Sequence, residues 1–254
     1  MEFWLLVLLI FLWLRHSAKK RRDAEQKKHR PKIPKYTPYK KPRTLTTQDK
    51  YDASDKEVIG KIGEEAVHKA ILRLPGKGIV LANLYLPLSG NSQETTEIDL
   101  LLIHERGVFC VEVKNFTGRV WGDSQYRNWR LYPYHKPKDG AEYYEFYSPI
   151  LQNATHVSAL EDLLEGTSIT SVVVFGANAR INIKSNGDTT NCTVCSLKDF
   201  HQRMKWLLDS SSTRLSDSDM RCLGRILMPH TKVSEKVKAR HREFVQSRKG
   251  KGRG

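Results

Sequence analysis

Apolar and polar positions fall into blocks of strand and helix length from about residue 55 to residue 227. Two apolar runs, Ile98–Ile103 and Val108–Val113, flank the short polar turn 104–107. They are of strand length and rich in branched side chains, which predicts a buried β-hairpin. Upstream, Val58, Ile62, Val67, Ile71 and Leu74 recur at helical spacing, and Ser54 or Asp55 can cap the start, so a helix is expected over Asp55–Leu74. Gly60 and Gly63 lie inside it, each costing ~1 kcal/mol relative to alanine, which points to close packing against another element. Ile79–Leu88 predicts a first strand. Val120–Gly122 and Asn128–Leu131 predict shorter strands with exposed aromatics. Ser148-Pro149 opens a helix over Ile150–Leu164, since proline suits a first helical turn. Its apolar face reads as Leu151, Ala154, Val157, Leu160 and Leu164, and Gln152 and His156 share another face, four apart. Ser171–Phe175 and Asn191–Cys195 predict strands, Leu197–Leu208 and Met220–Leu227 helices.

Charge breaks the apolar hairpin at three places, Asp99, Glu112 and Lys114. A charge in a buried strand is costly unless it is paired or binds a metal. Glu112 and Lys114 are two apart and leave the same face of their strand. With Asp99 on the neighbouring strand, two carboxylates and an ammonium converge. Two carboxylates make a hard oxygen site for Mg²⁺, which keeps waters and meets substrate phosphate. The metal lowers the pKa of a bound water, and a nearby lysine steadies charge on the phosphate. The ordinary alternative is an edge strand on which Glu-x-Lys is only an ion pair on a solvated face. Glu64, on the first helix directly after Gly63, is a further carboxylate that could reach this centre, although helical glutamates usually face solvent.

The net charge of +15 belongs to the ends of the chain. Residues 1–43 hold 13 Lys+Arg against 3 Asp+Glu, residues 231–254 hold 9 against 2, and the middle holds 21 against 23. The near-neutral middle is therefore not a nucleic-acid binder on charge alone. The mean hydropathy of −0.54 suits a polar chain with one ordinary core. Phe3–Leu14 is an unbroken apolar run of twelve residues followed by Arg15-His16 and a Lys/Arg cluster. It is short against the ~20 residues of a spanning helix, and its basic residues follow the run, which is the wrong order for a secretory signal. It is read as a membrane anchor, with Trp4 and Trp13 at the interfaces and the basic side inside. The expected division is an anchor over residues 1–16, a basic Pro-rich linker over 17–50, a folded domain over 51–230 and a basic tail over 231–254. Cys110 reads as a small core hydrophobe. Cys192 and Cys195 form a lone Cys-x-x-Cys with no second pair to complete a zinc site, and the sparse cysteines fit a reducing compartment.

Taken together these residues resemble the nuclease-related domain (NERD) family of the PD-(D/E)xK nuclease superfamily. The matching elements are Gly60-Lys61-Ile62-Gly63-Glu64-Glu65, Glu97-Ile98-Asp99, Gly107-Val108-Phe109, Val111-Glu112-Val113-Lys114-Asn115-Phe116-x-Gly118, Trp129 and Ser148-Pro149-x-x-Gln152. They cover about residues 55–165. Ser148 stands where the family usually has asparagine. The resemblance implies an α/β fold with a restriction-endonuclease-like core, a central mixed sheet flanked by helices, behind an N-terminal membrane helix. It implies Glu64, Asp99 and Glu112 as metal-side carboxylates, Lys114 as catalytic lysine and Gln152 as a supporting polar residue.

The function expected is a Mg²⁺-dependent (or Mn²⁺-dependent) nuclease that cuts phosphodiester bonds in DNA processing. It would sit single-pass in a bacterial inner membrane through residues 3–14, with its domain on the cytoplasmic side. Two alternatives stand beside it. One is a non-catalytic nucleic-acid-binding module of the same fold. The other is a membrane-associated scaffold whose basic linker and tail meet lipid or protein.

Overall fold

A computed structural model describes residues 47–88, 91–135, 140–184 and 192–251. The expected anchor and most of the basic linker lie outside them. Among the described residues no helix is long and apolar enough to cross a membrane.

In chain order the elements are α1 (Thr47–Ile71), β1 (Gly78–Leu88), β2 (Asn91–His104), β3 (Gly107–Lys114), β4 (Gly118–Asp123), β5 (Asn128–Tyr132) and β6 (Tyr144–Tyr147). They continue with α2 (Pro149–Leu163), β7 (Ile169–Phe175), β8 (Ala179–Lys184), β9 (Cys192–Ser196), α3 (Phe200–Ser210), α4 (Asp217–Leu227), a 3₁₀ turn (Met228–Thr231) and α5 (Glu235–Lys251). The chain is α/β, as expected, with two sheets. The larger has the order β1-β2-β3-β7-β9, the smaller β6-β5-β4-β8. The hairpin β2–β3 is antiparallel, and β3 then runs parallel to β7, as β7 does to β9, so the larger sheet is mixed.

Helices cover both faces of the larger sheet, which explains why its central strands read as nearly continuous apolar runs. On one side Ala159, Leu160 and Leu164 from α2 and its end, with Met220 and Leu227 of α4, pack on Ile98, Leu101, Ile103, Val108 and Cys110. On the other, Val67 and Ile71 of α1 and Phe200, Met204 and Leu208 of α3 pack on Leu100, Leu102, Phe109, Val111 and Val172. A third core, Val120, Trp129, Ile150, Val173, Phe175 and Ala179, joins the smaller sheet to the larger. Trp129, expected to be exposed, is 1% exposed and stacks on Phe175 with ring centroids 6.4 Å apart. A Cβ at Gly122 would fall 2.3 Å from the indole, so the strand beside Trp129 has room only for glycine there.

Three further expectations change. Val58 and Ile62 on α1 are exposed, and only the later positions Val67 and Ile71 enter the core. The buried stripe of α2 is Pro149, Ile150, Asn153, His156, Ala159 and Leu160 rather than the purely apolar face, and Ala154 points outward. Two polar side chains with partners across the sheet replace apolar ones in that stripe. Finally, the expected basic tail carries α5, which lies against β2. The His241 ring nitrogen Nδ1 meets the Thr95 carbonyl at 2.9 Å, and its ring meets Tyr85 edge-on at 5.5 Å. The helix is half-buried at Val237, His241, Phe244 and Val245, with no fully buried residue among those described, so its sequence carries no sustained apolar stripe.

Candidate active site

The site begins with a reversal of side-chain direction in two paired strands. On β3, Val108 and Cys110 face α2, while Phe109 and Val111 face α1 and α3. Strict alternation then sends Glu112 and Lys114 toward α2, as the spacing predicts. On β2 alternation fails at one place. Ile98 and Leu101 face α2, yet they are an odd number of residues apart. On β1 the same change falls between Leu81 and Leu84. Asn83 lies between these two, with a left-handed φ of 54° that asparagine tolerates. Pairing runs Ala82↔Leu100 and Leu84↔Ile98, skipping Asn83 and Asp99 between them. Asp99 is thus at the switch point of the strand.

The β2–β3 ladder stops at Leu100↔Val111, just beyond that switch. The strands part there, and the Asp99 carboxylate takes over the freed donor: Val113 N–H donates to Asp99 Oδ2 at 2.8 Å. The parting opens the place where Asp99, Glu112 and Lys114 meet. Glu112 is fully buried, with both oxygens engaged. Lys114 Nζ donates to Oε1, and His156 Nε2 meets Oε2 at 3.0 Å. Lys114 also donates to Gln152 Oε1 at 3.1 Å, one turn before His156 on α2. The other ring nitrogen of His156 meets the Thr96 hydroxyl at 2.6 Å.

Burial works against the Glu112 charge, but Lys114 and His156 outweigh it and hold the carboxyl below the usual range. For Lys114, burial is likewise overcome, by Glu112 and Asp99, and its ammonium is held more tightly than usual. Asp99 goes the other way: burial first, then the Glu112 charge, pushes it well above the ordinary carboxylate range. Glu64 is raised by burial, then by Glu97 and Glu112, and makes no hydrogen bond or ion pair among the described residues. Helix α1 carries it to this point because Gly63 sits against Asn115, where a Cβ would fall 2.4 Å from the Asn115 Cβ. Asn115 Nδ2 in turn donates to the Ile59 carbonyl at 2.7 Å. Gly60, by contrast, has open space around it.

All five expected residues, Glu64, Asp99, Glu112, Lys114 and Gln152, therefore belong to one neighbourhood, directly bonded or linked by charge. His156, which the sequence placed on the face of Gln152 without a role, and Thr96, which it did not single out, are additions. The one-turn spacing from Gln152 to His156 was the available signal for the histidine.

Oxygen donors that repel one another in a partly buried place suit a hard dication. One Asp99 oxygen is free of Val113, and the Glu64 carboxylate has no internal donor. Glu112 differs, since its oxygens already hold Lys114 and His156. Among the described residues no three His, Cys, Asp or Glu side chains stand together in an arrangement that could hold an ion. Asp99 and Glu64 are the carboxylates with oxygens free of internal donors, and Glu112 would have to release Lys114 or His156 before it could join them.

The Cys-x-x-Cys pair is not such a site. Cys192 and Cys195 lie three apart on β9 and leave opposite faces. Burial pushes their thiols up to about 11 and about 12, so neither is a thiolate at neutral pH. Exposed Cys222 should react with iodoacetamide at pH 8 before Cys110, Cys192 and Cys195. Peptide mass mapping over a time course checks this order, and equal rates at all four would mean the β9 thiols are not buried.

Residues 59–176 match the family model described as nuclease-related domain, NERD. An uncharacterized protein of Bacillus anthracis is 34% identical over 107 residues, covering 42% of this chain and 47% of that protein. The chain thus spans about half the length of that relative. No solved structure matches.

Proposed function

We propose, from the match of residues 59–176 to the nuclease-related domain model, that the protein is a metal-dependent nuclease. The observation that carries the proposal is the meeting of Asp99, Glu112, Lys114 and Gln152 where β2 and β3 part, with Glu64 approaching from α1. Asp99, Glu64 and Glu112 would hold Mg²⁺ (or Mn²⁺). When bound, the ion supplies a water of lowered pKa and polarises the phosphoryl oxygen.

The chain's own groups do the rest. Lys114, held charged by Glu112 and Asp99, places a fixed cation where the phosphate gains negative charge. Gln152 restrains the ammonium through its side-chain oxygen, which narrows the positions that Nζ can take. His156 and Thr96 hold the Glu112 carboxylate in one orientation. In this reading the apolar run at residues 3–14 tethers the domain to a membrane and DNA is the polymer cut.

The test is cleavage of labelled DNA and RNA by the full chain in Mg²⁺, in Mn²⁺ and in excess EDTA. Cleavage with either metal and none in EDTA is expected. No cleavage of either polymer under any of these conditions refutes the proposal.

A second reading draws on the full engagement of Glu112. A carboxylate with both oxygens satisfied internally suits a structural charge network in a module that binds nucleic acid without cutting it. Retention of DNA in EDTA with no cleavage in metal would favour it.

A further inference from the structure

The outward face of the smaller sheet carries cations and aromatic rings for which neither the catalytic centre nor the core has a use. Val120 on β4 and Trp129 on β5 point into the third core. Alternation therefore turns Arg119, Trp121, Arg130 and Tyr132 the other way. Arg119 is in register with Tyr132 on one side and with Arg180 of β8 on the other. Arg180 also points outward, because its neighbours Ala179 and Ile181 pack inward.

Like charges directly opposite on neighbouring strands are unfavourable. Neither Arg119 nor Arg180 makes a side-chain hydrogen bond or ion pair among the described residues. Beside them Trp121 leaves 45% of its surface in water, in register with Arg130. Arg130 is already committed: it meets Glu145 at 3.5 Å and lies 4.7 Å over the Tyr143 ring, which stands 5.5 Å from Tyr132. Glu145 is thus neutralised by Arg130, Asp123 at the end of β4 accepts from the Gln125 N–H, and the tyrosines are held in place. What remains uncompensated is a pair of guanidinium groups flanked by rings.

We propose that this face binds single-stranded nucleic acid, with Arg119 and Arg180 sharing a backbone phosphate and Trp121 and Tyr132 stacking on bases. Two guanidinium forks answer the phosphate, and flat rings answer bases of any sequence. A duplex keeps its bases stacked inside and cannot use the rings, so single strands are preferred. The proposal extends the nuclease reading to a substrate class, yet binding is measured without cleavage.

The experiment is fluorescence anisotropy of a labelled single strand, and of its duplex, with the full chain in EDTA over a range of salt. Wild type should bind the single strand at least ~10-fold more tightly than the duplex. R119A/R180A should weaken binding by about 10-fold and reduce the salt slope by about one to two. W121A should weaken binding by roughly 10-fold with an unchanged slope, and wild-type tryptophan emission should be quenched by the strand. Wild-type affinity in both variants, or equal affinity for duplex and single strand, overturns the proposal. So does dependence of binding on residues 232–254 alone. A wild-type protein that binds this way and cuts nothing would sink the nuclease reading and leave this one standing. Cleavage without any effect of these variants on binding would do the reverse.

Discussion

Glu112→Gln is expected to lower cleavage by about 10²–10³-fold while the chain still folds. The amide has the same shape as the carboxylate but cannot serve both of its donors. Lys114 holds Oε1 and His156 holds Oε2, so the amide nitrogen must face one of them. Lys114 also loses its strongest counter-charge and keeps only the weaker pull of Asp99 and Glu64. Glu112→Ala is harsher, because it leaves a buried ammonium and imidazole facing a void. Breaking a buried pair from one side costs about 3–5 kcal/mol.

The pH dependence of stability separates the two acids. Glu112 is held below the usual range, so its contribution is present above its unfolded pKa and is lost as pH falls through the folded value. Asp99 is held above it, so its contribution is present below its unfolded pKa and is lost as pH rises through the folded value. The acid-side loss should therefore flatten in Glu112→Gln, and the loss on rising pH should flatten in Asp99→Asn. Initial cleavage rates in Mg²⁺ and thermal melts across pH measure both effects. A Glu112→Gln protein that cuts at the wild-type rate removes Glu112 from the chemistry.

The hairpin was legible because its signal is local. Two branched apolar runs with a turn between them can pack only one way, and period two alone puts Glu112 and Lys114 on one face. The acidic motif was legible as a resemblance, since its elements recur at family spacing. The departure of Asp99 from alternation was not. It depends on a left-handed residue, Asn83, on the strand across the ladder, and nothing within β2 announces it. Helix α2 misled for a related reason. Its apolar face reads as Leu151, Ala154, Val157, Leu160 and Leu164, whereas the buried stripe includes Asn153 and His156, whose partners lie on strands far away in sequence. Gly63 and Gly60 look alike in sequence and differ only in what stands opposite, which is Asn115 for one and open space for the other.

Asn153 carries the second large expectation, on stability. It is fully buried on α2, between Gln152 and His156 in sequence. Its amide nitrogen donates to the carbonyls of Cys110 and Val172 and to Ser171 Oγ, at 3.0, 3.1 and 2.8 Å. Its oxygen accepts from the Cys110 thiol at 3.1 Å. One side chain thus ties α2 to β3 and β7 at the point where those strands lie in register, Cys110↔Ser171. Asn153→Ala removes these bonds, at about 0.5–1.5 kcal/mol for each. A total near 3 kcal/mol should lower Tm by roughly 6–12 °C for a chain of this size. Gln152 and His156 ride on the same helix, so cleavage at a temperature where the variant is folded should also fall, but by less than in Glu112→Gln. Asn153→Asp decides whether the donors matter rather than the shape. Its carboxylate fits the same space but presents acceptors to two carbonyl oxygens, so it should be less stable than Asn153→Ala despite the smaller change in volume. If Asn153→Asp melts with the wild type, the bonds to Cys110 and Val172 do not hold the helix, and the placement of Gln152 and His156 must come from the apolar packing of Ala159 and Leu160 instead.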